Sequence, residues 1–176
     1  MSKQLLLTEL DYSAWANRQL LNACESIPPE EFDRDLGASF RSIAGTLHHI
    51  FLAERSWTYR LVTNALPSMI QMADPRFDPN PPIGLGYSAL VEAWPQVWSS
   101  GRQWLLALSE EDLTHELTSP MPDGTKFLVS RWKVLQHMIN HSTLHRGQVM
   151  SMLRLLGHPV PNTDIFTFYI VETGIA

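Results

Sequence analysis

The amino-acid sequence predicts an all-α protein, a four-helix bundle with a long crossover connection and a short β-hairpin before the last long helix. Four stretches carry apolar side chains at helical spacing. A proline-rich segment separates the second stretch from the third, and the dipeptide Asp123-Gly124, which favours a tight hairpin turn, precedes the fourth. Four amphipathic helices joined in this way are typical of a bundle with one crossover.

Prolines and a capping residue set the boundaries of the first two predicted helices. The first covers residues 3–26, because Pro28-Pro29 stops the apolar pattern directly afterwards. The second begins near Ser42, whose hydroxyl favours the N-cap position, and continues to about residue 63. Asn64 and Pro67 then end it.

Residues 66–86 contain five prolines and two glycines, a composition that cannot sustain a long helix or a central strand. We therefore predict a long connection there. The third helix follows over residues 88–108 and is rich in tryptophan, which we interpret mainly as core. Pro95 is expected either within its first turns or at a kink.

The last third of the chain predicts a hairpin followed by the longest helix. Residues 115–129 alternate weakly in hydropathy around the Asp-Gly turn, which indicates two short strands. The fourth helix should cover residues 130–157 and end at Gly157, with a length of about 40 Å at 1.5 Å per residue. The tail, residues 162–172, is compatible with either a short helix or a strand.

Length and composition predict one domain spanning residues 1–176, since no low-complexity or charged linker divides the chain. The net charge is −5 at neutral pH, and lysine and arginine do not cluster, so nucleic acid is not an expected partner. The first residues have the pattern of neither a signal peptide nor a membrane span. We therefore expect a cytoplasmic protein with no membrane partner.

Residues 137–146, HMINHSTLHR, place a histidine at every fourth position. Two histidines at this spacing lie about 6 Å apart on one helix face and can bind a single ion. His137 and His145 are two turns, or about 12 Å, apart, so all three do not easily share one ion. The pairs His137 with His141 and His141 with His145 both remain open. The second predicted helix offers two further ligands, His48 and His49.

Helical phase favours His49 over His48 as the histidine that faces the bundle interior. At about 100° per residue, His49 lies roughly 40° beyond the edge of the apolar face marked by Ala53. His48 lies roughly 100° beyond the opposite edge, marked by Leu47. Because Cys24 is the only cysteine, any metal would be held mainly by nitrogen and oxygen ligands.

An ordinary structural role is the alternative for each of these residues. A histidine on an apolar face is often a hydrogen-bonded core residue rather than a ligand. Glu54 could accept a hydrogen bond beside the metal or act as a general base, but a solvated surface carboxylate is the plainer interpretation. We interpret Arg146 and Gln148 as helix-surface or interface residues.

Four stretches together resemble the DinB/YfiT-like family, and they occur in the same order over nearly the whole chain. The most specific part is the motif HRGQ at residues 145–148. Its histidine, His145, follows another histidine, His141, by four residues. The resemblance implies a four-helix bundle with three histidine ligands, one from the second helix and two from the last, which correspond here to His49, His141 and His145. The stretches are YSAWANRQLL (12–21), SIAGTLHHIFLAERSWTYRL (42–61), HMINHSTLHRGQVMSMLRLLG (137–157) and PNTDIFTFY (161–169).

Three histidine ligands leave open positions on an ion, which is typical of catalytic sites. Similar proteins include bacillithiol transferases and mycothiol-dependent maleylpyruvate isomerase, so the resemblance implies activation of a low-molecular-weight thiol, or of water, against a small electrophilic substrate. A metal-dependent thiol transferase or hydrolase, with nickel or zinc and a homodimeric assembly, is the resulting expectation. His137 would then lie beside the site or in the core. The alternative is a non-catalytic metal-binding protein of stress response or interaction, or a structural bundle.

Overall fold

Helices form most of the described chain, which comprises residues 2–64, 86–120 and 125–174 of a computed structural model. The predicted all-α class, with a two-stranded hairpin before the last long helix, is confirmed. The helices are α1 (Lys3–Cys24), α2 (Pro29–Phe32), α3 (Ile43–Thr63), α4 (Tyr87–Ala107), α5 (Arg131–Leu155) and α6 (Ile165–Glu172), and the strands are β1 (Glu116–Pro120) and β2 (Lys126–Ser130).

The four long helices pack side by side. Helix α3 packs against α4 and α5, and α1 packs against the same two helices, while α6 lies against α1. The strands β1 and β2 pair antiparallel, with Glu116 opposite Ser130. Because α5 begins directly after β2, the hairpin leads straight into the helix that carries the histidine repeat.

Local signals explain the ends of α3 and α5. The hydroxyl of Ser42 accepts a 3.0 Å hydrogen bond from the backbone N–H of Gly45, which is the N-cap predicted from the sequence. Asn64 ends α3 in the left-handed conformation at φ 55°. Gly157 has φ 80° just beyond α5, as expected for a glycine that follows a helix C-terminus.

Several predicted boundaries differ from the observed ones. Helix α1 ends at Cys24, two residues before the predicted end, and the prolines start the short helix α2 instead of only ending a helix. Pro95 lies inside α4. The tail forms the helix α6, which the sequence left undecided. Residues 66–85 of the predicted connection and the turn at Asp123-Gly124 lie outside the described residues.

The core of the described residues contains two large hydrophobic clusters with a polar layer between them, and a small third cluster of Tyr12, Ala16 and Phe168. Along α3, for example, Phe51 belongs to one cluster and Leu61 to the other. Buried polar side chains occupy the intervening turns of α1, α3 and α5. A buried polar group is costly unless it is hydrogen-bonded, so this layer requires partners for its members. They include Ser13, Asn17, Glu54, Ser142 and Arg146.

Within the ranges that the structure describes, no helix combines the length and apolarity that crossing a bilayer requires.

Candidate metal centre

Three histidines from two packed helices converge at one point of the bundle. His49 lies on α3, and His141 and His145 lie one turn apart on α5. The centroids of their rings are 4.8 Å apart for His49 and His141, 4.6 Å for His49 and His145, and 4.4 Å for the α5 pair. One nitrogen of each ring lies within 4.8 Å of the others. The structure therefore brings together the three residues that the sequence singled out.

The spacing of one nitrogen pair fits a single ion. The Nε2 atoms of His49 and His141 face each other at 3.0 Å. With metal–nitrogen bonds of about 2.0–2.1 Å, two nitrogens on one ion are separated by roughly 3 Å at a right angle and by roughly 3.4 Å at the tetrahedral angle. The observed distance of this pair lies near the first of these values, whereas the three nitrogens together spread over up to 4.8 Å and must move closer to bind one ion.

Burial keeps two of the three imidazoles neutral. It lowers the pKa of His49 to about 4, with further lowering from the neighbouring charges of His141, His145 and His48. Burial likewise lowers the pKa of His141 to about 4, together with the charges of His145 and His137. A divalent ion binds the neutral imidazole, so both rings are in the ligating protonation state at pH 7.

His145 is held by a side chain that the sequence analysis assigned to the surface. Its Nδ1 donates a 2.7 Å hydrogen bond to Oε1 of Gln148, one turn further along α5. This contact places the proton on Nδ1 and leaves Nε2 for an ion, which is the arrangement commonly found behind histidine ligands. The spacing of three residues between His145 and Gln148 was a signal available in the sequence.

His137 and His48 lie outside the cluster, for different reasons. His137 is exposed, so the core alternative for it is wrong, and its ring contacts those of Trp57 and His141 at centroid distances of 5.5 and 5.8 Å. His48 is only 1% exposed, whereas His49 is half-buried. The helical-phase argument was therefore wrong about burial, because His48 faces a different part of the interior.

Glu54 is buried at 3% exposure, and its interpretation as a solvated surface carboxylate is wrong. Its Oε1 accepts hydrogen bonds from Asn17 (2.8 Å) and Ser142 (2.6 Å). Its Oε2 accepts bonds from the indole N–H groups of Trp94 (2.6 Å) and Trp98 (3.1 Å). None of its described hydrogen bonds reaches a histidine of the cluster, so no contact supports a role as general base.

Arg146 is also buried, at 1% exposure, which contradicts its interpretation as a helix-surface or interface residue. It donates to Ser13 at 3.2 Å, to Asn17 at 3.1 Å and to Thr143 at 2.7 Å. Because Asn17 also donates to Glu54, its amide group joins the buried guanidinium to the buried carboxylate. The polar layer thus balances its two opposite charges across the bundle.

Phe40, which the sequence analysis did not single out, covers one side of the histidine cluster. Its ring stacks on the imidazole of His49 with a centroid distance of 3.7 Å and an interplanar angle of 16°. It also meets the ring of His145 edge-on at 5.3 Å. The residue lies in the segment before α3, where no periodic pattern marks an aromatic side chain as part of a site.

Comparison with known proteins agrees with this architecture. The family model of the DinB family matches residues 1–172. The chain is also similar to the protein DinB of Bacillus subtilis (strain 168), with 25% identity over 165 residues, covering 93% of this chain and 92% of that protein. The match includes the α3 and α5 segments that carry the histidine cluster. The chain therefore belongs to the DinB family.

Proposed function

We propose that this protein is a metal-dependent enzyme in which His49, His141 and His145 bind one divalent ion. The observation that carries the proposal is the convergence of three imidazoles from two helices, with ring centroids 4.4 to 4.8 Å apart. The neutral state of His49 and His141 at pH 7 supports it, as does the hydrogen bond from His145 to Gln148. The three imidazoles would provide nitrogen ligands only, with neither a thiolate nor a carboxylate among them.

Bound to three imidazoles, a divalent ion would keep open positions and supply Lewis-acid activation of a thiol or of water. The residues of the chain would hold the ion, and Phe40 would exclude water from one side of the site. Cys24 does not offer the thiol, because it is 2% exposed and burial raises its pKa to about 12. A reaction through a thiol therefore requires a low-molecular-weight thiol cofactor.

The proposed reaction is the transfer of such a thiol to a small electrophilic substrate, or the hydrolysis of that substrate. Imidazole ligands suit several late divalent metals, and nickel and zinc are the ions that we propose. Because no described contact selects one thiol, several low-molecular-weight thiols must be compared in the activity assay.

We further propose one domain for the whole chain, a cytoplasmic location and a homodimer without nucleic-acid or membrane partners. Support for self-association comes from α6, which exposes a group of apolar side chains and contains one charged residue, Glu172. Apolar surface of this kind is typical of protein interfaces. The exposed side chains are Ile165, Phe166, Tyr169, Ile170 and Val171.

A non-catalytic metal-binding protein is the second candidate, and one observation favours it. The buried carboxylate of Glu54 directs its described hydrogen bonds to Asn17, Ser142 and two tryptophans rather than towards the histidines. The carboxylate of Glu54 is therefore not in hydrogen-bond contact with the cluster, where a general base would have to act. Binding and catalysis must therefore be tested independently.

The first experiment measures metal content by elemental analysis of protein purified without a histidine tag. We expect about one divalent ion per chain, and protein that binds none after incubation with zinc or nickel would contradict the metal site. Metal-loaded protein is then offered several low-molecular-weight thiols with monochlorobimane as electrophile. Metal-dependent conjugation supports the transferase. If none of the thiols is conjugated, the transferase is contradicted, and hydrolysis and the non-catalytic alternative remain.

A further inference from the structure

The rings of His145 and His49 are held in place in different ways. His145 is oriented by the amide oxygen of Gln148, which its Nδ1 contacts at 2.7 Å. His49 has no such partner among the described residues. Its described hydrogen-bond contact is the 3.0 Å approach of its Nε2 to the Nε2 of His141. That approach involves the ligand atom itself, which an ion would occupy. Another interaction must therefore orient the His49 ring when its Nε2 binds a metal.

Phe40 supplies this interaction. Its ring lies almost parallel to the His49 imidazole, with 16° between the planes and 3.7 Å between the centroids, which is direct contact of the two faces. A flat stack restricts rotation of the imidazole about its last side-chain bond, because turning the ring would drive its edge into the phenyl face. The same phenyl ring meets His145 edge-on at 5.3 Å, so it contacts ligands from both helices.

The backbone around Phe40 is built to hold this ring in position. A Cβ added at Gly45 would lie 2.1 Å from the carbonyl oxygen of Phe40, so the close approach of this segment to α3 depends on glycine. Arg41 adopts φ 67°, an unfavourable conformation for a residue with a side chain. Unfavourable conformations persist where the surrounding structure enforces them.

Hydrogen bonds enforce the conformation of Arg41. Its backbone N–H donates to the carbonyl of Ala38 at 2.8 Å, and its own carbonyl accepts from Leu36 at 2.7 Å. The Nε of Arg41 also binds the carboxylate of Asp35 at 2.8 Å. The segment before α3 is therefore a closed turn, and its last residues present Phe40 to the histidine cluster.

We infer that Phe40 is the positioning residue of His49, which holds the imidazole in the ligating orientation by stacking, as Gln148 holds His145 by a hydrogen bond. The inference rests on the proposed function, since it concerns ligands of the proposed metal site. It predicts that removing the ring weakens metal binding although Phe40 itself offers no ligand atom.

The test compares zinc affinity, measured by competition with a chromophoric chelator, among purified untagged variants. For Phe40→Ala we expect affinity at least about tenfold weaker than wild type, the effect known for residues that orient metal ligands. Phe40→Tyr preserves the ring and should bind zinc nearly as wild type does. Phe166→Ala removes an exposed phenyl ring on α6 and is the matched control, with unchanged affinity.

A second variant shifts the Phe40 backbone and leaves its side chain intact. In Gly45→Ala the new methyl group meets the Phe40 carbonyl, so we expect weaker zinc binding. Gly147→Ala is the control, because a Cβ at that helical position has no neighbour within 4 Å among the described residues. Thermal unfolding of the metal-free variants shows whether each has folded, and the absorption spectrum of the cobalt(II) forms reports ligand geometry.

A measurement without metal separates this inference from the metal site itself. In metal-free wild-type protein, nuclear Overhauser effects should connect the ring protons of His49 and His141, and Phe40→Ala should lose them. If wild-type protein shows these effects and Phe40→Ala loses them, but wild-type protein binds no zinc, the proposed function is overturned and the positioning role is supported. Phe40→Ala that keeps both the effects and wild-type zinc affinity would overturn the role of Phe40.

Discussion

The hydroxyl of Ser142 donates a 2.6 Å hydrogen bond to the carboxylate of Glu54, across the contact between α5 and α3. Ser142 directly follows His141, and Glu54 lies five residues after His49, so the bond joins the two helices that carry the candidate ligands. Both side chains are buried. The bond therefore couples the polar layer of the core to the relative position of the histidines.

Replacing Ser142 with alanine should lower the free energy of unfolding by about 1–2 kcal/mol, because a buried carboxylate loses a hydrogen-bond donor. Chemical denaturation of the metal-free protein measures the change. Ser151→Ala, which removes an exposed hydroxyl bound only to the Gly147 carbonyl of the same helix, is the matched control and should change stability by less than about 0.5 kcal/mol. Equal effects of the two substitutions would show that the Glu54 contact contributes nothing.

His141→Ala and His137→Ala should differ strongly in their effects on zinc binding. His141 presents Nε2 to His49 at 3.0 Å, whereas His137 is exposed and contacts the cluster only through the ring of His141. Loss of a ligand should reduce the affinity by a factor of about 100 or more, and loss of His137 by less than about tenfold. Calorimetric titration with zinc checks this, and similar losses in both variants would mean that His137 is itself a ligand.

Gln148→Ala should weaken zinc binding by about tenfold to a hundredfold, because it removes the acceptor that orients the His145 ring. Gln148→Glu retains an acceptor oxygen and should restore most of the affinity. Competition with a chelator measures the zinc affinities of wild type and the two variants at the same pH. If Gln148→Ala bound zinc as wild type does, the hydrogen bond to His145 would be irrelevant to the site.

The metal-free protein should lose stability as the pH falls from about 6.5 towards 4. Burial lowers the pKa of His49 and of His141 to about 4, so the unfolded chain takes up protons first, near the ordinary pKa of 6.5. The contribution of these two residues to the free energy of unfolding is therefore complete above about pH 6.5 and is lost as the pH falls through about 4. Denaturation midpoints at several pH values measure it. A double variant with glutamine at positions 49 and 141 should lose less stability over this pH range. A loss equal to that of wild type would contradict the assignment of the pH dependence to these two histidines.

The ends of the long helices could be predicted from the sequence to within about two residues, because the signals act over a few residues. Ser42 caps α3 through a bond to a residue three positions later, and Gly157 follows α5 in the left-handed conformation that glycine favours. The rise of a helix per residue was enough to argue that His137 and His145 do not share an ion. These arguments need only the geometry of one helix.

Burial was predicted less well, because it depends on which helices surround a residue. His48 was expected to point away from the interior, yet it is almost fully buried. Glu54 and Arg146 are of residue types that usually lie at the protein surface. Hydrogen-bond donors and acceptors on neighbouring helices make their burial tolerable. The partners of Glu54 include residues 37 and 88 positions away, which no local pattern indicates.

The sequence by itself therefore determined the helical class, the approximate ends of the long helices and a short set of histidines that could serve as ligands. Each of these follows from contacts within one helix or its caps. Only the tertiary structure decided that His49 meets His141 at 3.0 Å, that Phe40 stacks on His49 and that Glu54 lies in the core. Such relationships depend on the packing of helices against one another, because the residues that meet are far apart in the chain.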